Sequence, residues 1–274
     1  MIIHGMTDAE YHARPELSST GARLLLPEYG GSPAKFKYRQ GKEFNTPAFD
    51  LGKAVHARVL GVGAQAIAYP DDVLAANGAA STKAAKDWAE QVRAEGHVPM
   101  KAADLQPIED MAEAVLAHPE AREVLETVTG REVSIFADVD GVPTRARFDI
   151  YGNNQGGDVK TAVDASPEGF NRAVAKYGLH VQGGWYDAAH TAETGIALDG
   201  FKFLVVEKTA PYLVGVYDLD AQWREIGRDR AQVARETWAE CTRTGTWPGY
   251  ASGTLSCPPY VVYRHEDTYE EIQI

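Results

Sequence analysis

The stretch from residue 131 to 161 constrains the fold most. Before it the chain is rich in Ala and Glu at helical spacing. Within it apolar and polar residues alternate, and two turn signals, Asp140-Gly141 and Gly152-Asn153-Asn154-Gln155-Gly156, divide the alternation into three parts. Period-two patterning interrupted in this way predicts a three-stranded antiparallel meander. A two-residue turn at Asp140-Gly141 sets Val139 against Val142, and the rest of the register follows. One face then carries Val133, Ile135, Ala137 and Val139 against Val142, Thr144, Ala146 and Phe148, which reads as core. The other face sets Ser134 opposite Arg147 and Glu132 opposite Asp149, with Arg145, Arg147 and Asp149 in line.

The third strand contains Gly157-Asp158-Val159-Lys160-Thr161, where alternation puts Asp158 and Lys160 on one face and Val159 on the other. A face bearing Asp149, Asp158, Lys160 and nearby Glu132 makes a poor core but a good divalent-cation site. Carboxylate oxygens suit Mg²⁺ or Mn²⁺ and leave positions open for water and a phosphate oxygen. A lysine two residues after the second carboxylate can orient or deprotonate an attacking water. An Asp-x-Lys on a strand by itself is more often a solvated ion pair. The Arg-x-Arg-Phe-Asp ending at Asp149 turns the pair into a candidate site.

Flanking elements follow from caps and breakers. Ser18-Ser19-Thr20 leads into a short helix over Ala22–Leu26, and Ser32-Pro33 starts another with Pro at its first position. Thr46-Pro47 opens a helix from about Ala48 to Leu60, stopped by Gly61-Val62-Gly63. Residues 81–95 and 101–127 are helical, the second broken near His118-Pro119. After the meander come helices at 166–176 and 178–194, strands at Phe201–Glu207 and Leu213–Leu219, a long helix over Ala221–Thr242 and an irregular tail from Pro248. The order implies one α/β domain over 1–274: a mainly helical part at 1–128, sheet and helices at 129–219, and a helix with tail at 220–274.

Bulk properties narrow the function. At 274 residues with no run of 18 apolar residues, the chain reads as a globular protein without a membrane span. The opening Met1-Ile2-Ile3-His4-Gly5 lacks a secretory pattern, so a cytoplasmic setting is expected. A net charge of −12 argues against nucleic-acid binding by the whole surface. It leaves room for a local basic wall, and Lys35, Lys37, Arg39, Lys42, Lys53 and Arg58 crowd one stretch. Cys241 and Cys257 are too few for a four-cysteine zinc or iron–sulfur site and read as two reduced thiols. No Walker A motif, complete dinucleotide fingerprint or Gly-x-Ser-x-Gly elbow is present.

Several motifs in order, Arg147-Phe148-Asp149-Ile150, Gly157-Asp158-Val159-Lys160-Thr161 and Gln182-Gly183-Gly184-Trp185-Tyr186, resemble PD-(D/E)XK nucleases of the RecB-like group. Within that group the sequence is most similar to the exonuclease VIII (RecE-type) nuclease domain of phages and prophages. The N-terminal part agrees: Tyr11-His12, Leu17-Ser18-Ser19-Thr20, Ser32-Pro33-Ala34-Lys35-Phe36, and Phe49 through His56. The similarity covers roughly residues 5–60 and 130–195.

The resemblance implies a restriction-endonuclease-like α/β core, with a mixed central sheet flanked by helices and a helical N-terminal portion. It implies metal ligands at His56, Asp149, Asp158 and the Val159 carbonyl, and a catalytic lysine at Lys160. On residue type alone, His56 on a helix face is more often a satisfied core histidine. Gln182 and Tyr186, spaced i, i+4, match an active-site pair, although Tyr186 also fits simple packing beside Trp185. Glu132 is either a further acidic group of the site or a cross-strand partner of a basic residue. Arg145, Arg147 and Lys53 are candidate DNA-phosphate contacts; the arginines alternatively neutralise Glu132 and Asp149. The expected activity is a Mg²⁺-dependent 5′→3′ exodeoxyribonuclease on linear duplex DNA, with Mn²⁺ able to substitute and no iron–sulfur cluster. Expected partners are DNA ends, copies of the chain in a ring and a phage single-strand annealing protein. The alternatives are a DNA-end-binding module that does not cut, or an endonuclease or single-strand nuclease. Residues 64–128 and 220–274 carry no functional motif.

Overall fold

The computed structural model describes residues 1–42, 47–128 and 130–272. Strand β1 (Ile2–Ile3), helix α1 (Asp8–Ala13) and strand β2 (Leu17–Ser18) open the chain. Helices α2 (Ser19–Leu25) and α3 (Pro33–Arg39) follow, with the Ser18 and Ser32 hydroxyls accepting from the Gly21 and Lys35 amides. Helix α4 (Pro47–Leu60) stops at Gly61, which takes φ 71°. The Thr46 expected to open it lies outside the described residues.

Strands β3 (Ala66–Ala68) and β4 (Val98–Met100) pair in parallel around α5 (Lys83–Ala94). Helices α6 (Ala102–Ala117) and α7 (Pro119–Thr127) break at His118, as the proline demands. The meander is β5 (Gly130–Val139), β6 (Val142–Gly152) and β7 (Gln155–Ala162). Then come α8 (Pro167–Tyr177), α9 (Leu179–Thr194), β8 (Gly200–Glu207), β9 (Val214–Tyr217), α10 (Ala221–Thr244) and α11 (Pro259–Ile272). Helix α11 lies where the tail reads as irregular from sequence. Its described side chains are exposed, so no buried stripe marks it as a helix.

The main sheet runs β1-β5-β6-β7-β8-β9, with β2 joining β6. It is mixed: β5, β6 and β7 are antiparallel neighbours, β7 and β8 are parallel, and β8 and β9 are antiparallel. The Val139↔Val142 and Ser134↔Arg147 pairings are those set by the Asp140-Gly141 turn. Helices cover both faces. Leu25, Phe170, Trp185 and Ala231 pack on Phe148 and Phe203, while Val55, Met111 and Leu125 pack on Ile150 and Leu204. Strand β8 alternates between the two cores and is buried on both sides, so its sequence reads as one apolar run.

One local irregularity shapes the rest. Phe148 and Ile150 are two apart and would share a face in a regular strand, yet they belong to opposite cores. Strand β6 therefore turns over at Asp149. Across the ladder, between Arg131↔Ile150 and Val133↔Phe148, Glu132 takes φ 51°. A non-glycine residue at such a φ inside a strand stores strain of about 1–3 kcal/mol. The β6–β7 ladder runs only from Gly152↔Gln155 to Ile150↔Gly157, after which the strands part. The carbonyls of Arg145 and Arg147 instead accept from Trp185 Nε1 (3.0 Å) and Tyr186 Oη (2.7 Å), so α9 fills the opened edge.

Candidate active site

The point where β6 and β7 part is where the polar residues converge. Asp149 Oδ2 accepts from the Val159 amide at 2.7 Å, a side chain standing in for the missing ladder partner. Its other oxygen lies 2.9 Å from His56 Nε2. His56 comes from α4, which Val55 and Val59 anchor in the core, and its Nδ1 is 3.2 Å from Glu132 Oε1. Glu132 also pairs with Arg147. The turned-over backbone at Glu132 and Asp149 thus places two carboxylates on either side of one imidazole.

Asp158 faces a second set of partners. Its Oδ1 accepts from Gln182 Nε2 at 2.5 Å, and its Oδ2 meets the Lys160 ammonium. Oδ2 is buried, with the Lys160 ammonium beside it and no geometrically formed hydrogen bond among the described residues. The shared face expected for Asp158 and Lys160 is borne by their contact.

Electrostatics follow from the crowding. Burial disfavours the His56 imidazolium, but the Asp149 carboxylate and its hydrogen bond, with Glu132, outweigh that and hold the histidine at about 9. Burial also works against the charge on Asp149, yet His56 and Lys160 keep it below the usual carboxylate range. Asp158 goes the other way: burial and the adjacent Asp149 charge push it up against the pull of Lys160 and Gln182. Burial raises Glu132 too, opposed by His56 and Arg147. Carboxylates pushed apart in this manner mark a site short of positive charge.

The donor set fits a hard divalent cation. His56, Glu132 and Asp149 each offer a ligand atom, and these atoms lie within 4.8 Å of one another. Asp158 stands outside that trio, close enough for its charge to interact with that of Asp149. Val159 gives its amide to Asp149 and its side chain to the core.

The remaining sequence candidates are placed as follows. Tyr186 is buried against Phe148 and Phe201 and holds the Arg147 carbonyl, so it positions the strand behind the site. Arg145 donates to the carbonyls of Tyr11 and Arg14 and lies over the Tyr11 ring. Arg147 binds Glu132 and the carbonyls of Met6 and Thr7. Both guanidiniums tie the N-terminal segment to β6, and Arg147 neutralises Glu132, the second role open to it. Lys53 lies one turn before His56, 3.5 Å from Asp8 and part exposed.

Arg23 on α2 was not singled out by any sequence signal. It bonds the Tyr177 carbonyl and lies within electrostatic range of Asp158. A separate cavity of about 310 Å³ is bounded by α9, β8 and α10, and none of the carboxylates named above lines it.

Comparison with known proteins agrees with this architecture. A family described as a PDDEXK-like domain of unknown function (DUF3799) matches residues 29–258. A solved structure from Eubacterium rectale, described as a "putative exonuclease", superposes with a TM-score of 0.64. The match covers 93% of this chain and 96% of that one at 12% identity, a likeness of fold. No curated protein matches by sequence. With its mixed central sheet, flanking helices and match over most of its length, the chain belongs to the family of PDDEXK-like domains of unknown function.

Proposed function

We propose that this protein is a divalent-metal-dependent deoxyribonuclease. The convergence of His56, Glu132, Asp149, Asp158 and Lys160 where β6 and β7 part carries the reading. His56, Asp149 and either Glu132 or Asp158, with the Val159 carbonyl, would hold the cation, Mg²⁺ or Mn²⁺. A bound cation supplies Lewis acidity toward a phosphate oxygen and makes a coordinated water more acidic. Lys160, anchored by Asp158, would stabilise the charge that develops and orient the attacking water. Gln182 fixes the Asp158 carboxylate, and Tyr186 fixes the β6 backbone behind Asp149. Hydrolysis adds the water oxygen to phosphorus and breaks one P–O ester bond, with a proton passing to the leaving oxygen.

The finer reading is a 5′→3′ exonuclease on linear duplex DNA, acting in phage-type recombination as a ring of identical chains beside a single-strand annealing protein. Its support is the similarity of the motifs to RecE-type nucleases. The test is digestion of 5′-labelled linear duplex with Mg²⁺, compared with closed circular DNA. Release of mononucleotides by the wild type, with Lys160→Ala and Asp158→Ala reduced about 10²–10⁴-fold, is the expected result. Intact DNA in both Mg²⁺ and Mn²⁺ would end the enzyme reading, and cutting of the circle would end the exonuclease one.

A further inference from the structure

Residues 29–42 and 245–265 contain no Asp or Glu, in a chain with 39 acidic residues against 27 Lys and Arg. The fold lays the start of one stretch against the start of the other. The Ala34 amide donates to the Pro248 carbonyl at 3.0 Å, and Phe36 of α3 stacks on Trp247 at 5.5 Å with 23° between ring planes. Cations line the same seam. Lys35 Nζ lies 5.1 Å over the Tyr250 ring, Lys37 Nζ 5.3 Å over Trp247, and Lys42 Nζ 3.5 Å over Tyr38. Tyr38 is 67% exposed and Tyr250 73%, so these rings contribute little to any core.

Positive charge interleaved with open aromatic faces is the composition that binds single-stranded nucleic acid: phosphates find the ammoniums and unpaired bases stack on the rings. A paired duplex offers no base face to such rings. Tyr38 and Tyr250 are open to solvent, and an exposed cation–π contact is weak enough to yield to a base. We propose that α3 and residues 245–250 form a platform for single-stranded DNA. Bases stack on Tyr38 and Tyr250, and phosphates are held by Lys35, Lys37 and Lys42. That the strand is DNA rests on the nuclease reading. Chain geometry keeps Lys42 within about 30 Å of His56, since a short connection and two and a half turns of α4 separate them.

The test is fluorescence anisotropy in EDTA, which separates binding from cutting. It uses labelled oligo-dT of about 20 nucleotides and a blunt duplex of the same length. The variants are Tyr38→Ala with Tyr250→Ala, and Lys35→Glu with Lys37→Glu. All the platform changes are at exposed residues, and unaltered melting shows that the fold is kept. The tyrosine pair is expected to weaken oligo-dT binding about tenfold or more while leaving duplex affinity unchanged. The lysine pair is expected to flatten the salt dependence. Oligo-dT binding by the tyrosine pair equal to that of the wild type overturns the platform, even if the protein cuts DNA. Strand binding lost in the tyrosine pair, in a protein that never cuts, keeps the platform and sinks the nuclease reading instead.

Discussion

Residue scale: His56 sits between two carboxylates, and in the metal-free protein that position is satisfied by a proton. Its folded value of about 9 lies above the ordinary imidazole value of 6.5. The ion pairs therefore stabilise the fold fully below about pH 6.5, and the benefit disappears as pH rises through 9. The gap corresponds to about 3 kcal/mol. Denaturant melts in EDTA should show the wild type losing about that much between pH 6 and pH 9.5, with His56→Gln nearly flat over the range. Gln182→Ala acts differently, because it strips Asp158 Oδ1 of its donor without touching any ion pair. Activity should fall about 10–100-fold, and the loss of a buried donor should also cost about 1–3 kcal/mol of stability, measured by initial rates and thermal shift. The sequence made Asp149, Asp158 and Lys160 legible through alternation and a fixed turn. It also placed Glu132 opposite Asp149, but not its positive φ, because nothing in the residue type announces it. The pairing of Arg147 with Glu132 was among the roles open to it, but the bonds of Arg145 and Arg147 to backbone carbonyls were hidden, since those carbonyls belong to a segment more than a hundred residues earlier.

At the scale of elements, α9 matters most, since it carries Gln182, Trp185 and Tyr186 together. Its depth is set by α10 through two glycines. A Cβ on Gly227 would sit 2.2 Å from the His180 carbonyl oxygen, and one on Gly184 would sit 2.5 Å from the Gly227 backbone. Gly227→Ala should therefore push the helices apart and cost about 2–3 kcal/mol, lowering the melting temperature by roughly 5–10 °C. Gln182 would shift with α9, so activity should fall more than stability alone explains. An unchanged melting curve would show that the contact is slack. The long helices and the meander were readable because each repeats its period several times. Strands β1 to β4 hold two or three residues each, too short for a period, and exist only because a partner strand lies beside them.

At the scale of the molecule, the two hydrophobic cores share strands. Phe148 and Ile150 of β6, and Phe203 and Leu204 of β8, belong to opposite cores within one backbone. Neither side can melt without stripping the other, so the two layers should unfold as one. Far-ultraviolet circular dichroism and tryptophan fluorescence should give coincident denaturant curves, and a plateau between them would refute the coupling. Trp88 reports α5, and Trp185 and Trp223 report the opposite layer. The fold class was legible because the element order alternates in a way few architectures accept. The convergence of α4 on the parted strands was not, since it arises from long-range packing.

The pairing of β1 with β5 and of β2 with β6, together with the meeting of His56 and Asp149, also places events in time. On a ribosome adding about 5–20 residues per second, α4 leaves the tunnel on the order of ten seconds before the strand that supplies its carboxylate. Through that interval Val55 and Val59 have no sheet to cover them, and residues 2–18 have no strand to join. The strand that carries Asp149 thus completes both the core under α4 and the sheet that the N-terminal residues join.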